Sequence, residues 1–160
     1  MKPILVLCLG NEVLSDDAFG PVIARLLDHS AYQHDRVEVM FAPVAGFHLL
    51  DLLEQREKVL VVDSIQTGKV RPGTLHFFPM GQLAPSKGLT TSHQINLPTA
   101  LELGRKMGYQ MPDHIDVLAV EVADNTTLSE ELTGTVAAAI DPALKSIERW
   151  MAAHSTETAI

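Results

Sequence analysis

The chain has 160 residues, 20 Asp and Glu against 12 Lys and Arg, and a formal net charge of −8. With 46% hydrophobic and 20% charged residues it has the make-up of one folded domain. So acidic a chain, with no basic cluster, is excluded as a binder of nucleic acid, and the lone Cys8 excludes a disulfide framework or a Cys-rich zinc module.

The N-terminus, Met1-Lys2-Pro3, offers no small-residue cleavage site and leads straight into the apolar run Ile4 to Leu9. That run is far short of the ~18 residues of a membrane span and reads as a strand buried on both faces. A cytoplasmic protein without a membrane segment is expected. Gly10-Asn11 ends the strand, and Ser15-Asp16-Asp17 opens a helix with Phe19, Val22, Ile23, Leu26 and Leu27 at helical spacing and Pro21 in the first turn. Arg36 to Ala42 reads as a second strand and about Ala45 to Arg56 as a second helix. Val59 to Val62 forms the third strand, closed by Asp63-Ser64.

Thr74 to Phe78 is the fourth strand, followed by a polar loop from Gly81 to Ser92. A helix starts near Asn96-Leu97-Pro98, with Ala100, Leu101 and Met107 facing inward, and Ile115 to Val122 is the fifth strand. The apolar series Leu132, Val136, Ile140, Leu144, Ile147 and Met151 predicts a last helix from about Ser129 to Ala153, kinked at Pro142. One domain over 1–153 and a frayed tail over 154–160 complete the expectation. The pattern is that of an α/β sandwich with a mostly parallel sheet and helices on both faces. Ligands of such sheets bind beyond the carboxyl ends of the strands.

Three loops at that edge carry chemistry. Asp16 and Asp17 open a helix, where acids commonly cap free N–H groups; the alternative is that one caps and the other serves as a hard oxygen ligand, with Gly10 and Gly20 allowing tight turns. The spacing is not G-x-G-x-x-G, and the acids would repel a pyrophosphate, so a dinucleotide is disfavoured. Asp63 ends a buried strand, as a turn former or as an active-site acid. His93 lies on the long loop before a helix. Two carboxylates and an imidazole would hold a borderline divalent metal and leave positions open for water or substrate. His48, after the second strand, can line the same cleft. His29, His34, His76 and His114 read as surface residues, and Cys8 as inert packing. No G-x-S-x-G or H-E-x-x-H pattern is present.

Together, Gly10-Asn11…Asp16-Asp17…Gly20, Asp63 and Ser92-His93 resemble the hydrogenase maturation endopeptidases over almost the whole chain, as does Glu121-Val122…Leu128-Ser129-Glu130-Glu131-Leu132. Ala18 stands where many relatives carry glycine. The resemblance implies a three-layer α/β/α fold on a mixed five-stranded sheet, with the fourth strand antiparallel. It implies removal of a C-terminal peptide from the nickel-loaded large-subunit precursor of a [NiFe] hydrogenase. Asp17, Asp63 and His93 would be the metal ligands and Asp16 the helix cap, with Gly10, Asn11 and His48 against the substrate. The nickel would be the one installed in the precursor, with other divalent cations able to substitute in the isolated protein. The loops at Ala42 to His48 and Gly81 to Ser92 would meet the precursor. Two other classes compete: a hydrolase of a small substrate on a similar sheet, and a non-catalytic nickel- or precursor-binding chaperone.

Overall fold

The computed structural model describes residues 1–28, 35–43, 48–82 and 92–156, the side chains of 82 and 92–96 excepted. Five strands form one sheet: β1 (Ile4–Leu9), β2 (Val37–Ala42), β3 (Lys58–Ile65), β4 (Leu75–Pro79) and β5 (His114–Glu121). Their spatial order is β2-β1-β3-β5-β4. The first four strands in that order are parallel, and β4 pairs antiparallel with β5, Leu75 facing Val120. The mixed, mostly parallel sheet expected from the resemblance is therefore present.

Strand pleat divides the apolar residues into two cores. Ile4, Val6, Cys8, Leu60, Val62, Leu118 and Val120 face one side. There they meet α1 (Phe19–Asp28), α4 (Gly134–Ala137) and α5 (Ile140–Ser155). Leu5, Leu7, Leu9, Val59, Val61, Val117 and Ala119 face the other, covered by α2 (His48–Leu53) and α3 (Ser92–Lys106). β1, β3 and β5 are buried on both faces, which is why they read as continuous apolar runs. The chain leaves β1 toward β2 and leaves β3 in the opposite direction, so the order reverses between β1 and β3. The crevice at that reversal is where such sheets bind ligands.

Several boundaries differ from the sequence reading. Asp63 and Ser64 are inside β3, paired in register with Ala119 and Val120, because the ladder to β5 continues past the last apolar residue. The start of the second helix expected at Ala45 lies outside the described residues, and α2 covers His48–Leu53. α3 begins at Ser92, ahead of the expected start, with Pro98 inside it. Ala100 and Leu101 are buried as expected, but Met107 is exposed: the helix ends at Lys106, Gly108 takes a φ of +88°, and Met111 fills that face instead. The single last helix is two. Ser129 to Thr133 are not helical, α4 is one turn, and α5 starts at Ile140 with Pro142 in its first turn, where the missing N–H costs nothing. A break ahead of Pro142 replaces the expected kink, and α5 continues through His154 and Ser155, which were expected to fray. Residues 157–160 lie outside the described residues. None of the described helices is long and apolar enough to cross a membrane.

α1 lies against the end of β1 because Gly20 permits it. A Cβ at Gly20 would sit 2.0 Å from the Leu9 carbonyl oxygen, and one at Gly10 would sit 2.1 Å from that of Asp17, with Gly10 itself at φ +147°. Gly20→Ala is expected to destabilise the fold by about 3 kcal/mol or more, since backbone must move. Chemical denaturation checks this, and unchanged stability would mean that α1 can lift off β1 freely.

Candidate active site

The turn after β1 brings two acids to the crevice. Asn11 Oδ1 accepts the Val13 N–H at 3.1 Å, and the Asn11 N–H reaches the Asp17 carbonyl at 3.1 Å, closing a compact loop. Ser15 has φ +44° and is held there by its N–H to the Ser129 carbonyl (2.9 Å) and its hydroxyl to the Glu131 carbonyl (3.2 Å). Residues 15–18 then form a 3-10 turn that runs directly into α1, with no side-chain cap.

Asp16 is not the helix cap that the resemblance implied. Its fully buried carboxylate accepts the N–H groups of Ala123 and Asp124, both at 2.9 Å, and of Thr133 at 2.7 Å, and the Thr133 hydroxyl at 2.9 Å. It therefore bolts the segment after β5 onto the loop after β1. Its charge is met by donors from a segment more than a hundred residues away, as a buried carboxylate requires. Asp124 continues the segment as a tight turn: hydrogen bonds from the Thr127 hydroxyl and N–H, with the Thr126 N–H, hold its carboxyl down at about 2.

Asp17 is buried and its Oδ1 accepts the Ser64 hydroxyl at 2.8 Å. Asp63 is fully buried; its Oδ1 accepts the Ser64 N–H at 2.8 Å. Ser64 thus bridges the two carboxylates expected as metal ligands, through its hydroxyl on one side and its amide on the other. Asp63 Oδ2, in contrast, is buried with no hydrogen-bond partner among the described residues. Burial pushes the Asp63 carboxyl well above the usual carboxylate range; the Ser64 N–H works against this, and the Asp17 charge adds to it. Burial, with a smaller push from Asp63, likewise raises the Cys8 thiol, which keeps it protonated and inert.

The remaining candidates are placed as follows. Gly10 is buried and Asn11 exposed on the same loop, and His48 is exposed at the start of α2. His93 is the second residue of α3; its side chain lies outside the described residues, as do 44–47 and 83–91 of the two expected contact loops. Near the end of α3, Arg105 donates to the Pro112 carbonyl at 3.3 Å, just ahead of β5. α3 therefore runs opposite to β5 and begins toward the edge where β3 and β5 finish.

Glu121 escaped the reading of individual residues. It ends β5 as Asp63 approaches the end of β3, and the rule that drew attention to Asp63 applies equally to it. Its buried carboxylate accepts the Thr67 hydroxyl, the Thr67 N–H at 2.8 Å and His76 Nε2 at 3.3 Å. Burial alone would raise its pKa, but the Thr67 and His76 hydrogen bonds outweigh this and lower it. Glu121 fixes the loop that follows β3, and His76 is a half-buried strand residue paired to it, not the surface histidine expected.

Two tests separate these acids. Asp16→Asn turns an acceptor toward three backbone donors into a poorer one and is expected to cost ~2–4 kcal/mol of stability. Asp17→Asn keeps the Ser64 bond and should cost less than ~1 kcal/mol. Urea denaturation of both variants checks the contrast; equal losses would mean that Asp16 is no bolt. Asp63 has a raised folded pKa, so its ionisation weakens the fold increasingly as pH climbs from the unfolded value near ~4 toward the folded value. Asp63→Asn should therefore melt higher than the parent at pH 8, by several degrees at ~2–4 °C per kcal/mol, and about equally at pH 4. A melting difference independent of pH would refute the raised pKa of Asp63.

Comparisons with known proteins bear on the chain as a whole. The family described as "HycI: Hydrogenase maturation protease" matches residues 21–150. The hydrogenase 2 maturation protease of Escherichia coli (strain K12) is 30% identical over 145 residues, 90% of this chain and 87% of that protein. The hydrogenase expression/formation protein HupD of Rhizobium leguminosarum bv. viciae is 26% identical, over 92% of this chain and 75% of its own. Among solved structures, the hydrogenase maturating endopeptidase HybD from E. coli superposes with a TM-score of 0.83 at 29% identity, covering 96% of this chain and 93% of that one. A hydrogenase 2 maturation peptidase from Thaumarchaeota archaeon SCGC_AB-539-E09 gives 0.68 at 25% identity, covering 94% and 98%. The resemblance carried by Gly10-Asn11, Asp16-Asp17, Asp63 and His93 thus holds for the chain as a whole, which belongs to the hydrogenase maturation protease family.

Proposed function

We propose that this member of the family is the endopeptidase that removes a C-terminal peptide from the nickel-loaded precursor of a [NiFe] hydrogenase large subunit. It would recognise the installed nickel through Asp17, Asp63 and His93. The observation that carries the reading is the buried Asp63 Oδ2, without a partner among the described residues and next to a second buried acid. Such an arrangement is costly in isolation and is relieved by a cation. The donor set suits one: two carboxylate oxygens, with an imidazole added if His93 reaches the same point from the start of α3.

Nickel shared between precursor and protease would position the scissile peptide and supply Lewis acidity there. The chain's own residues do the rest. Ser64 holds the Asp17 carboxylate in one orientation and steadies Asp63 through its amide. Burial raises the Asp63 pKa, so a cation binding there would compete with a proton. Asp16 and Glu121 fix the loops on either side, and Gly10, Asn11 and His48 are the proposed substrate contacts. The single cysteine is a buried free thiol, which suits a reducing compartment, and the cytoplasm is the proposed location.

The test is the intact mass of a nickel-loaded large-subunit precursor before and after incubation with this protein. One defined C-terminal peptide should be lost with the parent chain. Asp17→Asn, Asp63→Asn or His93→Ala should slow the loss by at least ~100-fold, and nickel-free precursor should stay intact. A stable complex with unchanged mass would replace the protease by a chaperone. Equal cleavage with and without nickel would remove the recognition role of the three residues.

A further inference from the structure

The opposite edge of the sheet carries a second set of metal-capable side chains, unrelated to the acids above. His114 is the first residue of β5 and Asp116 lies two residues on, so the pleat turns both toward the face that α5 covers. α5 brings Trp150 and, one turn later, His154 to the same place. One ligand atom from each of His114, Asp116 and His154 lies within 4.8 Å of the others. Lys58 pairs with His114 and Asp63 with Ala119, so five residues, ~16 Å of strand, separate this edge from the candidate active site.

The surroundings prepare each group for ligation. The Trp150 indole N–H donates to Asp116 Oδ2 at 2.8 Å and fixes the carboxylate. His154 Nδ1 lies 2.8 Å from the Trp150 carbonyl, which can only accept, so Nδ1 carries a proton and Nε2 is the nitrogen available to a cation. That is the arrangement in which a ligating histidine is held by its other nitrogen. The His154 ring is also set between Trp150 (centroids 4.6 Å) and His114 (5.3 Å). His114 Nε2 meets Asp116 Oδ2 at 2.8 Å, closer than the ~3.4 Å ligand spacing of a tetrahedral site, and, being half exposed, its ring can rotate to open that spacing. Asp116 is buried while both imidazoles reach solvent, so a cation could enter and keep water on its open side.

We propose that His114, Asp116 and His154 form a second metal site, for a borderline divalent cation such as Zn2+ or Ni2+, which ties the last turn of α5 to the start of β5. Two nitrogens and one oxygen favour such ions over Mg2+ or Ca2+. The site does not depend on the proposed proteolysis.

The test titrates the full chain, after chelator treatment, with Zn2+ and separately with Ni2+, reading calorimetry and melting temperature. A variant carrying Asp17→Asn, Asp63→Asn and His93→Ala should still bind one equivalent and melt higher with metal. His114→Gln with His154→Gln should lose that equivalent, with affinity falling at least about tenfold and no metal-dependent rise in melting temperature. Circular dichroism without metal shows whether the double variant is folded; the single His114→Gln, at an exposed position, serves if it is not. With Co2+ as probe, visible bands of a four-coordinate ion should appear in the parent and vanish in the variant. An equivalent that survives loss of these histidines, or no binding in the triple active-site variant, overturns the proposal. Neither result bears on precursor cleavage, which is read separately by mass.

Discussion

Two neighbouring carboxylates, Asp16 and Asp17, are buried together at the carboxyl edge of the sheet, and the rest of the site is arranged around that constraint. A buried charge has to be met by donors or by a cation. Asp16 is met completely, by backbone N–H groups of the segment after β5 and by Thr133. This solution draws the 123–133 segment across the turn after β1, where it adds the Leu14–Ser129 bridge and the two hydrogen bonds that hold Ser15 at positive φ. With the loop immobilised on one acid, the next residue has little freedom. Asp17 is delivered to Ser64, and through Ser64 to Asp63. The position of Asp17 is a consequence of the bonding of Asp16.

The glycines enforce the same geometry from below. Gly10 and Gly20 let the chain fold back so closely that the carbonyls of Asp17 and Leu9 occupy the space a side chain would take. Glu121 repeats the Asp16 solution on the far side of β3, tying the 67–68 turn through Thr67. The candidate site is thus flanked by two buried carboxylates that are fully engaged, and it contains one, Asp63, whose Oδ2 has no hydrogen-bond partner among the described residues.

How much of this could be read in advance depended on the distance over which each feature is determined. The strands β1, β3 and β5 announced themselves because burial on both faces makes an apolar run, and α1 because its acids and its apolar spacing are local. The loop acids were visible as acids. The division of labour between them was not: Asp16 acts on partners at 123, 124 and 133, and no local spacing encodes a hydrogen bond across a hundred residues. The break before α5 was hidden for a different reason. Leu132, Val136 and Ile140 all pack on the core side, so the apolar phase runs through a stretch whose backbone is interrupted. Glu121 shows a third kind of omission: it ends β5 as Asp63 approaches the end of β3, but its partners Thr67 and His76 lie more than forty residues away along the chain.

The contrast between the satisfied acids and Asp63 bears on why the site has this form. An acid engaged by several donors, like Asp16, holds its backbone in place and has little left to offer a cation. An acid denied donors on one oxygen is a poor structural element, because its ionised form is penalised wherever water is excluded. The two roles are therefore incompatible in one side chain, and the sequence separates them by a single residue in Asp16-Asp17 and by the hydroxyl and amide of Ser64 between Asp17 and Asp63. On the proposed reading, the stability forgone by burying Asp63 is recovered when the precursor's nickel arrives, so recognition draws on the cost of that burial. A protease whose ligands were each satisfied internally would have no such preference for a metal-loaded partner over a metal-free one.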